Sequence, residues 1–181
     1  MKCEHFYESV DSESVIVYRE VDDVQEEGEG EGDDAKRQAS IYRVCRTLDD
    51  FPAARSVPLD KADPKIGVSM LSWSPSERYL ATKNDNLPSV VWIWNVVQKQ
   101  LVSVLLQRQP VRFMKWEPEN DVLGVCCCNS RIYLWSPDGA SVVHVPFSKF
   151  QGVRMMWNKR SSNLILSDSH TFCIGYLLDT V

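Results

Sequence analysis

The sequence predicts an all-β fold made of about three blade-sized repeats. Three segments of the 181-residue chain align with one another, and each has a tryptophan at its third position. A second aromatic anchor follows 19 to 21 residues later in each segment. The first anchors are Trp73, Trp116 and Trp157, and the second are Trp94, Trp135 and Tyr176. Successive anchors lie 43 or 41 residues apart, and a period of about 40–45 residues with a closing aromatic strand is typical of four-stranded β-propeller blades.

The segments between the anchors have the composition of short strands and tight turns. Middle strands are predicted at residues 79–82, 122–126 and 164–166, and anchor strands at 90–94, 132–135 and 172–176. Aromatic and β-branched residues predominate in these segments without helical spacing. The turns between them begin with Asn84, Asn129 and Asp168. Such side chains accept backbone N–H bonds, which favours short connections.

The N-terminal third differs from the repeats in its charge. Residues 1–67 contain nine Lys/Arg against seventeen Asp/Glu, and eight of these acids are concentrated between Asp22 and Asp34. Repulsion and three glycines predict a disordered acidic loop over residues 22–40, with an acidic lure for a basic partner as the alternative.

The chain divides by this pattern into six parts. Residues 1–21 are predicted to be the end of a preceding blade, and their strand at 14–21 is expected to pair with residues 41–44 across the acidic loop. Residues 41–67 form that second strand and a proline-containing connector. Blades follow at 68–110 and 111–152, and a last, incomplete blade occupies 153–181.

Residue types that support catalysis or bind cofactors form no recognisable motif. The three histidines, His5, His144 and His170, have no triad or nucleophile-elbow pattern around them, so we predict no catalytic residue and no enzyme. The cysteines at 126–128 are consecutive, and neighbours on a strand face opposite sides, so core packing is favoured over a metal site. No glycine-rich phosphate loop is present, and we expect no cofactor.

Composition describes a globular chain, with 44% hydrophobic and 25% charged residues. No apolar run approaches the length of about 18 residues that crosses a bilayer, and the first residues lack the order of a signal peptide. The six cysteines include no CxxC pair, which favours reduced, structural thiols. We therefore expect a cytoplasmic protein.

Basic side chains outnumber acidic ones in the repeats, with eleven Lys/Arg against eight Asp/Glu in residues 68–181. They include Arg108, Arg112, Lys115, Lys149, Arg154, Lys159 and Arg160. A nucleic-acid surface would need them on one face without acidic neighbours, whereas dispersed charge serves only solvation. Dispersed charge is favoured, and a substrate-recruiting or RNA-associated module is the alternative to a protein scaffold.

Residues 63–96 carry a more specific resemblance. They contain a proline-led entry at Pro64, a Ser-Pro at 74–75, an Ala-Thr-Lys-Asn-Asp-Asn stretch at 81–86 and a Val-Trp-Ile-Trp strand at 91–94. Residues 109–112 and 130–137 continue the likeness. By these features the chain resembles the C-terminal half of proteins in the family of WD repeat-containing protein eight, which is a WD40-type β-propeller family. The resemblance covers residues 63–181 well and 1–62 weakly.

The resemblance implies a non-catalytic scaffold at the centrosome, centriolar satellites and spindle poles. It also implies a microtubule-anchoring partner and roles in spindle assembly and ciliogenesis. The repeats depart from the generic signature, because the second anchors are followed by Asn95, Ser136 and Leu177 and no Trp-Asp dipeptide occurs.

Three blades and a remnant are fewer than a closed propeller contains, since propellers close with about four to eight blades. We therefore expect a partial propeller that forms an open, marginally stable and aggregation-prone arc. The sequence assigns no partner-binding residue, and the irregular loops near residues 84–88 and 149–152 are the first places to look.

Overall fold

Strands account for all the regular structure that can be described. The computed structural model describes residues 15–23, 39–45, 51–55, 66–147, 149–159 and 163–177, and every regular element in these ranges is a β-strand. This confirms the predicted all-β class. The acidic loop predicted for 22–40 lies outside the described residues except at its two ends, as do residues 46–50 and 56–65 of the connector.

Three sheets contain these strands. Blade 1 consists of β3 (Val68–Trp73), β4 (Tyr79–Asn84), β5 (Val90–Asn95) and β6 (Gln100–Leu106). Blade 2 consists of β7 (Phe113–Trp116), β8 (Leu123–Cys126), β9 (Arg131–Ser136) and β10 (Gly139–His144). Blade 3 is described by β11 (Arg154–Trp157), β12 (Asn163–Ser167) and β13 (Phe172–Tyr176). The predicted middle and anchor strands are all present.

The blades are antiparallel meanders packed side by side. Contacts join β3 to β7 and β7 to β11, so the first strands of successive blades are neighbours. Over the described ranges the three blades form an open series and no closed ring. We call the face of a blade that points to the preceding blade its leading face, and the opposite one its trailing face.

A two-stranded ribbon extends the first sheet. It consists of β1 (Ile16–Asp22) and β2 (Ser40–Cys45), which are antiparallel, so the predicted pairing of these segments is confirmed. β1 also runs parallel to β6, from Ile16 opposite Ser103 to Arg19 opposite Leu106. The strand assigned to the end of a preceding blade is thus hydrogen-bonded to the last strand of blade 1, and β2 contacts β10 of blade 2.

Hydrophobic side chains fill the two spaces between blades. The first space lies between blades 1 and 2. The trailing face of β4 and β5 in blade 1 contributes Tyr79, Ala81, Val91 and Ile93 to it. The leading face of blade 2 covers them with Met114, Trp116, Leu123, Val125, Tyr133 and Trp135. Between blades 2 and 3 lie Cys126, Ile132, Met155, Trp157, Leu164 and Leu166. Burial on this scale is the main favourable contribution to folding.

The predicted Asx turns recur at one position in all three blades. The backbone N–H of Asn86 donates to Oδ1 of Asn84 at 2.9 Å, and that of Arg131 donates to Oδ1 of Asn129 at 3.0 Å. In blade 3 the N–H of His170 donates to Oδ1 of Asp168 at 2.7 Å. Each side chain therefore closes the connection between the second and third strands of its blade, as the sequence predicts.

Gly124 lies where blades 2 and 3 are in close contact. A Cβ at this position would lie 2.3 Å from Sδ of Met155 and 3.3 Å from Cζ2 of Trp157. We expect Gly124→Ala to lower the free energy of unfolding by about 1–3 kcal/mol, because Met155 is buried and has little space to move. Urea unfolding followed by circular dichroism measures this change.

Gly175→Ala is the matched control. Its Cβ would meet side-chain atoms of Leu164 at 3.4–3.7 Å, which is ordinary contact. We expect a change within about 0.5 kcal/mol. Equal losses for the two variants would show that close packing is not what requires glycine at position 124.

Candidate functional site

A tryptophan in the first strand links blade 2 to blade 1 and blade 3 to blade 2. Nε1 of Trp116 donates to the carbonyl oxygen of Ser72 at 2.9 Å, and Nε1 of Trp157 donates to that of Lys115 at 3.1 Å. Ser72 and Lys115 each immediately precede the first-strand tryptophan of their own blade. The first anchors therefore form a repeated hydrogen bond between blades, in addition to their apolar burial.

Strand pairing places the second anchors beside the first in two of the three blades. Leu80 lies opposite both Trp73 and Trp94 in blade 1, and Leu123 lies opposite both Trp116 and Trp135 in blade 2. Directly opposed residues share a face, so each pair of anchors belongs to one leading face.

Blade 3 breaks this register. Leu164 lies opposite Trp157 and Gly175, so Gly175 is the equivalent of Trp135. Tyr176 lies one residue further, opposite Asn163, and therefore on the trailing face. The spacing of 41 residues identified the wrong neighbour, because Ser167 pairs with Phe172 in blade 3 whereas the equivalent Cys126 pairs with Ile132 in blade 2, so one residue fewer separates the paired positions.

The anchors differ in exposure according to their place in the series. Trp116 is 5% exposed and packs against Tyr79 of blade 1 and Trp135, with ring centroids 6.5 Å and 5.9 Å away. Trp73 is 50% exposed and Tyr176 is 64% exposed. Trp94 is half-buried and donates from Nε1 to Oγ1 of Thr82 at 3.0 Å. The anchors at the ends of the described series are therefore accessible to a partner.

Two kinds of connection lie at one end of the sheets. One joins the second and third strands of each blade, and the other joins successive blades. Together they form what we call the loop rim, which comprises residues 84–89, 107–112, 127–130, 145–147, 149–153 and 168–171. Backbone bonds join adjacent parts of it, from Val111 N to Pro88 O at 2.8 Å and from Gly152 N to Asn129 O at 3.0 Å. Both loops singled out from the sequence belong to this rim.

Polar contacts hold the first of these loops in place. Asn86 accepts from the N–H of Gly67 at 3.1 Å and donates from Nδ2 to the carbonyl of Arg55 at 3.2 Å. Nζ of the buried Lys83 lies 2.8 Å from the carboxylate of Asp85. The rim is thus preformed in blade 1, which favours binding because little order is lost when a partner docks.

The rim has mixed charge. Arg112 and Lys149 are exposed on it, whereas Arg108 forms an ion pair with Asp22. The N–H groups of His170 and then Thr171 lower the pKa of Asp168, which keeps an anion beside them. Lys115 and Lys159 lie elsewhere, Arg154 begins β11, and Arg160 is outside the described residues. The described basic side chains are thus dispersed and have acidic neighbours, whereas a nucleic-acid interface requires a contiguous basic surface.

A buried carboxylate joins the ribbon to both blades. The side chain of Glu20 has no exposed surface. It accepts from the hydroxyl of Tyr133 at 2.8 Å and from the backbone N–H of Arg108 at 2.9 Å, and its Oε1 lies 3.4 Å from the guanidinium of Arg131. Nδ2 of Asn129 donates to the same hydroxyl at 2.8 Å. Glu20 therefore connects β1, the connection between the blades, and β9.

Aromatic rings surround this carboxylate. The ring of Tyr42 lies 5.9 Å from those of both Tyr18 and Tyr133, and its hydroxyl accepts from Gln107. Burial raises the pKa of Tyr42 and of Tyr133 well above the usual range of a phenol. The sequence offered one signal of this cluster, since Glu20 follows Tyr18 by two residues and therefore shares its face of the strand.

The three consecutive cysteines point into different environments. Cys126 packs between blades 2 and 3, and Cys127 packs between blades 1 and 2. Burial raises the pKa of Cys126 to about 12, and burial together with the charge of Glu20 raises that of Cys127. These thiols are protonated and unreactive at neutral pH.

We expect the protein to lose stability in alkaline solution. The thiols and phenols of an unfolded chain begin to ionise near pH 9.0 and 10.0, whereas the buried ones stay protonated. The unfolded state then binds fewer protons than the folded state, so the stability present below pH 9 falls as pH rises toward 12. Each such group contributes up to about 1.4 kcal/mol per pH unit. Urea midpoints measured from pH 7 to 11 test this.

Cys126→Ala is the control for the alkaline loss. Removing one titrating thiol makes the decline shallower above pH 9, although the substitution also lowers stability by a constant amount. A stability that stays level between pH 8 and 11 contradicts the assignment of these groups as buried and protonated.

The described residues show no arrangement suited to a metal ion. No group of three or more His, Cys, Asp or Glu side chains among them is placed to hold one. His144 instead contacts the backbone of Ser40 at 3.0 Å, which helps to join β10 to the ribbon. The same part of the chain contains no helix that is long and apolar enough to cross a membrane.

Comparison with known proteins agrees with this architecture. The described blades are WD40-type β-propeller blades, because a WD40 propeller chain in the crystal structure of the mitotic checkpoint complex superposes with a TM-score of 0.50 at 16% identity. That match covers 67% of this chain and 40% of the other. No protein-family profile matches the chain.

Two WD-repeat proteins are similar in sequence. WD repeat-containing protein WRAP73 of Mus musculus is 38% identical over 119 residues, covering 65% of this chain and 26% of the mouse protein. An uncharacterized WD repeat-containing protein of Schizosaccharomyces pombe is 23% identical over 163 residues, covering 80% of this chain and 32% of its own length. The chain therefore spans about a quarter to a third of these relatives, which support its placement among WD-repeat proteins.

Proposed function

We propose that this chain is a non-catalytic WD-repeat scaffold that mediates protein–protein interactions. The observation that carries the proposal is the 38% identity with a WD repeat-containing protein over 119 residues, in a chain whose described blades are of the WD40 type. Propellers of this type are generally scaffolds, and their loops present binding groups from a rigid support.

The loop rim is the surface that we propose for partner binding. Its first loop is fixed by Asn86 and Lys83, and its exposed side chains include both charged residues and His170. A mixed, partly charged surface suits a protein partner, because charges at an interface set orientation and association rate.

We further propose a cytoplasmic location at the centrosome, centriolar satellites and spindle poles. The partner would be a microtubule-anchoring protein of the centrosome, and the function would contribute to spindle assembly and ciliogenesis. The support for this part is the resemblance of residues 63–96 to the family of WD repeat-containing protein eight.

Proximity labelling in ciliated cells tests the proposal. The chain fused to a labelling enzyme is compared with a variant that carries Arg112→Glu and Lys149→Glu, both on exposed rim positions. We expect the parent chain to label centrosomal proteins and the variant to lose most of that labelling. Arg78→Glu, on the exposed turn at the opposite end of blade 1, is the control and should label as the parent does.

Two outcomes would contradict the proposal. Labelling only of proteins unrelated to microtubule organisation would refute the location. Equal labelling by the rim variant and the parent would refute the loop rim as the binding surface.

A further inference from the structure

The half of the ribbon nearest the loop rim is held to the blades by side-chain contacts. We call this half the ribbon tip, and it comprises residues 20–22 and 40–42. The parallel ladder between β1 and β6 ends where Arg19 lies opposite Leu106. Beyond that pair β6 gives way to the rim segment 107–112, and among the described strands none outside the ribbon pairs with the tip. The tip can therefore separate from the blades without breaking the ladder.

The ribbon tip contacts the rim segment between blades 1 and 2 at three points. Oε2 of Glu20 accepts from the backbone N–H of Arg108 at 2.9 Å, and Asp22 forms an ion pair with the guanidinium of Arg108. The hydroxyl of Tyr42 accepts from Gln107. Backbone bonds join this segment to the first rim loop as well. The tip therefore supports two adjacent parts of the rim.

A series of hydrogen bonds joins the tip to the rim segment 127–130. Nδ2 of Asn129 donates to the hydroxyl of Tyr133 at 2.8 Å, and that hydroxyl donates to Oε1 of Glu20 at 2.8 Å. Both donors point toward the buried carboxylate, and bonds aligned in this way strengthen one another. The carbonyl oxygen of Asn129 accepts from the N–H of Gly152 at 3.0 Å, so the series extends to the rim segment between blades 2 and 3.

The backbone of the segment 127–130 depends on such support. Cys128 has a φ of 60°, in the left-handed region that residues other than glycine adopt at an energetic cost. The buried side chain of Cys127 fixes the turn on one side, and the bond from Asn129 to Tyr133 fixes it on the other. Loss of that bond lets the turn relax, together with the N–H of Arg131 that Asn129 accepts.

We propose that the ribbon tip is a positioning element, which holds the loop rim in the form that binds a protein partner. Through the single carboxylate of Glu20, the docked tip orders the rim on both sides of the junction between blades 1 and 2. Release of the tip loosens these segments, and partner binding weakens because their order must be restored on docking. The effect on binding rests on the proposed scaffold function, whereas the coupling between tip and rim does not.

Amide hydrogen exchange of the folded chain, resolved by nuclear magnetic resonance, tests the coupling. Tyr133→Phe removes the hydroxyl at the centre of the bond series and keeps the ring. We expect the N–H groups of Arg131 and Gly152 to exchange about five to ten times faster, which corresponds to the loss of about one net hydrogen bond. The N–H of Val111 should keep the parent rate, because its segment contacts the carboxylate directly.

A second variant and a matched control complete the comparison. Asn129→Asp keeps the acceptor of the Asx turn but has no N–H for Tyr133, so exchange at Gly152 should accelerate as it does in Tyr133→Phe. Tyr79→Phe removes a hydroxyl from the same space between blades but outside the bond series, and it should leave the rim unchanged. At the opposite end of blade 2, the N–H of Glu117 should keep its rate in all three variants.

Proximity labelling with the same fusion tests the effect on binding. Tyr133→Phe leaves every exposed rim side chain in place, so a reduced labelling of centrosomal proteins measures the loss of rim order alone. We expect this variant to lose a large part of the labelling that the parent chain gives. Tyr79→Phe should label as the parent does, and circular dichroism confirms that each variant is folded.

Three results would overturn the proposal. They are an unchanged rate at Gly152 in folded Tyr133→Phe, equal acceleration at Gly152 and Glu117, and full labelling by Tyr133→Phe in spite of faster exchange at the rim. Failure of the scaffold function gives a different result, in which the variant with Arg112→Glu and Lys149→Glu labels as the parent does. The exchange rates then decide the coupling between tip and rim independently.

Discussion

Trp116→Ala is expected to destabilise the packing of blades 1 and 2 strongly. The side chain is buried, donates to the carbonyl of Ser72, and packs on rings of both blades, including Tyr79. Truncation of a buried tryptophan costs about 3–5 kcal/mol, which is a large part of the roughly 5–15 kcal/mol that stabilises a typical domain. Urea unfolding followed by far-ultraviolet circular dichroism should show a much lower midpoint or no folded baseline.

Two further variants separate the contributions to this loss. Trp116→Phe keeps most of the apolar surface but removes the indole N–H, so we expect a smaller loss in which the hydrogen bond accounts for about 1 kcal/mol. Trp73→Ala is the control, and truncation of its half-exposed side chain should cost little. Equal losses for Trp73→Ala and Trp116→Ala would contradict the assignment of Trp116 to a blade interface.

The sequence predicted the blades because their strands and turns are encoded locally. The Asx turns at Asn84, Asn129 and Asp168 and the apolar strands beside them depend on residues within a few positions of each other. In blades 1 and 2 the predicted anchors share one face, because both tryptophans of each blade pair with one leucine, Leu80 or Leu123. Local patterns of this kind can be recognised in a single amino-acid sequence.

The register of blade 3 and the position of the ribbon could not be predicted from local sequence in this way. Tyr176 matched the period but falls on the opposite face, because strand side chains alternate and a difference of one residue reverses the face. The parallel pairing of β1 with β6 joins residues that are 87 apart, as in the bond from Ser103 Oγ to the carbonyl of Ile16. No local spacing encodes such a contact, so the sequence shows that Tyr18 and Glu20 share a face but not that Glu20 contacts Tyr133 and Arg131.

Glu20→Ala is expected to detach the ribbon and destabilise the protein strongly. The carboxylate is fully buried, and its removal leaves the hydroxyl of Tyr133, the N–H of Arg108 and the guanidinium of Arg131 without this acceptor. Breaking a buried ionic pair on one side costs about 3–5 kcal/mol. Urea unfolding gives the overall loss, and amide hydrogen exchange of β1 and β2 shows whether the ribbon opens before the blades.

Glu20→Gln and Tyr133→Phe resolve the origin of that loss. The Glu20→Gln substitution keeps the shape of the side chain but turns one acceptor into a donor that faces other donors, so we expect a loss close to that of Glu20→Ala. A double-mutant cycle with Tyr133→Phe should give a coupling energy above about 0.5 kcal/mol, because the two groups share a buried hydrogen bond. Asp22→Asn, whose ion pair with Arg108 is partly exposed, should cost about 1 kcal/mol or less. If Asp22→Asn were as costly as Glu20→Ala, general loss of negative charge in the ribbon, and not the buried acceptor, would be what holds it to the blades.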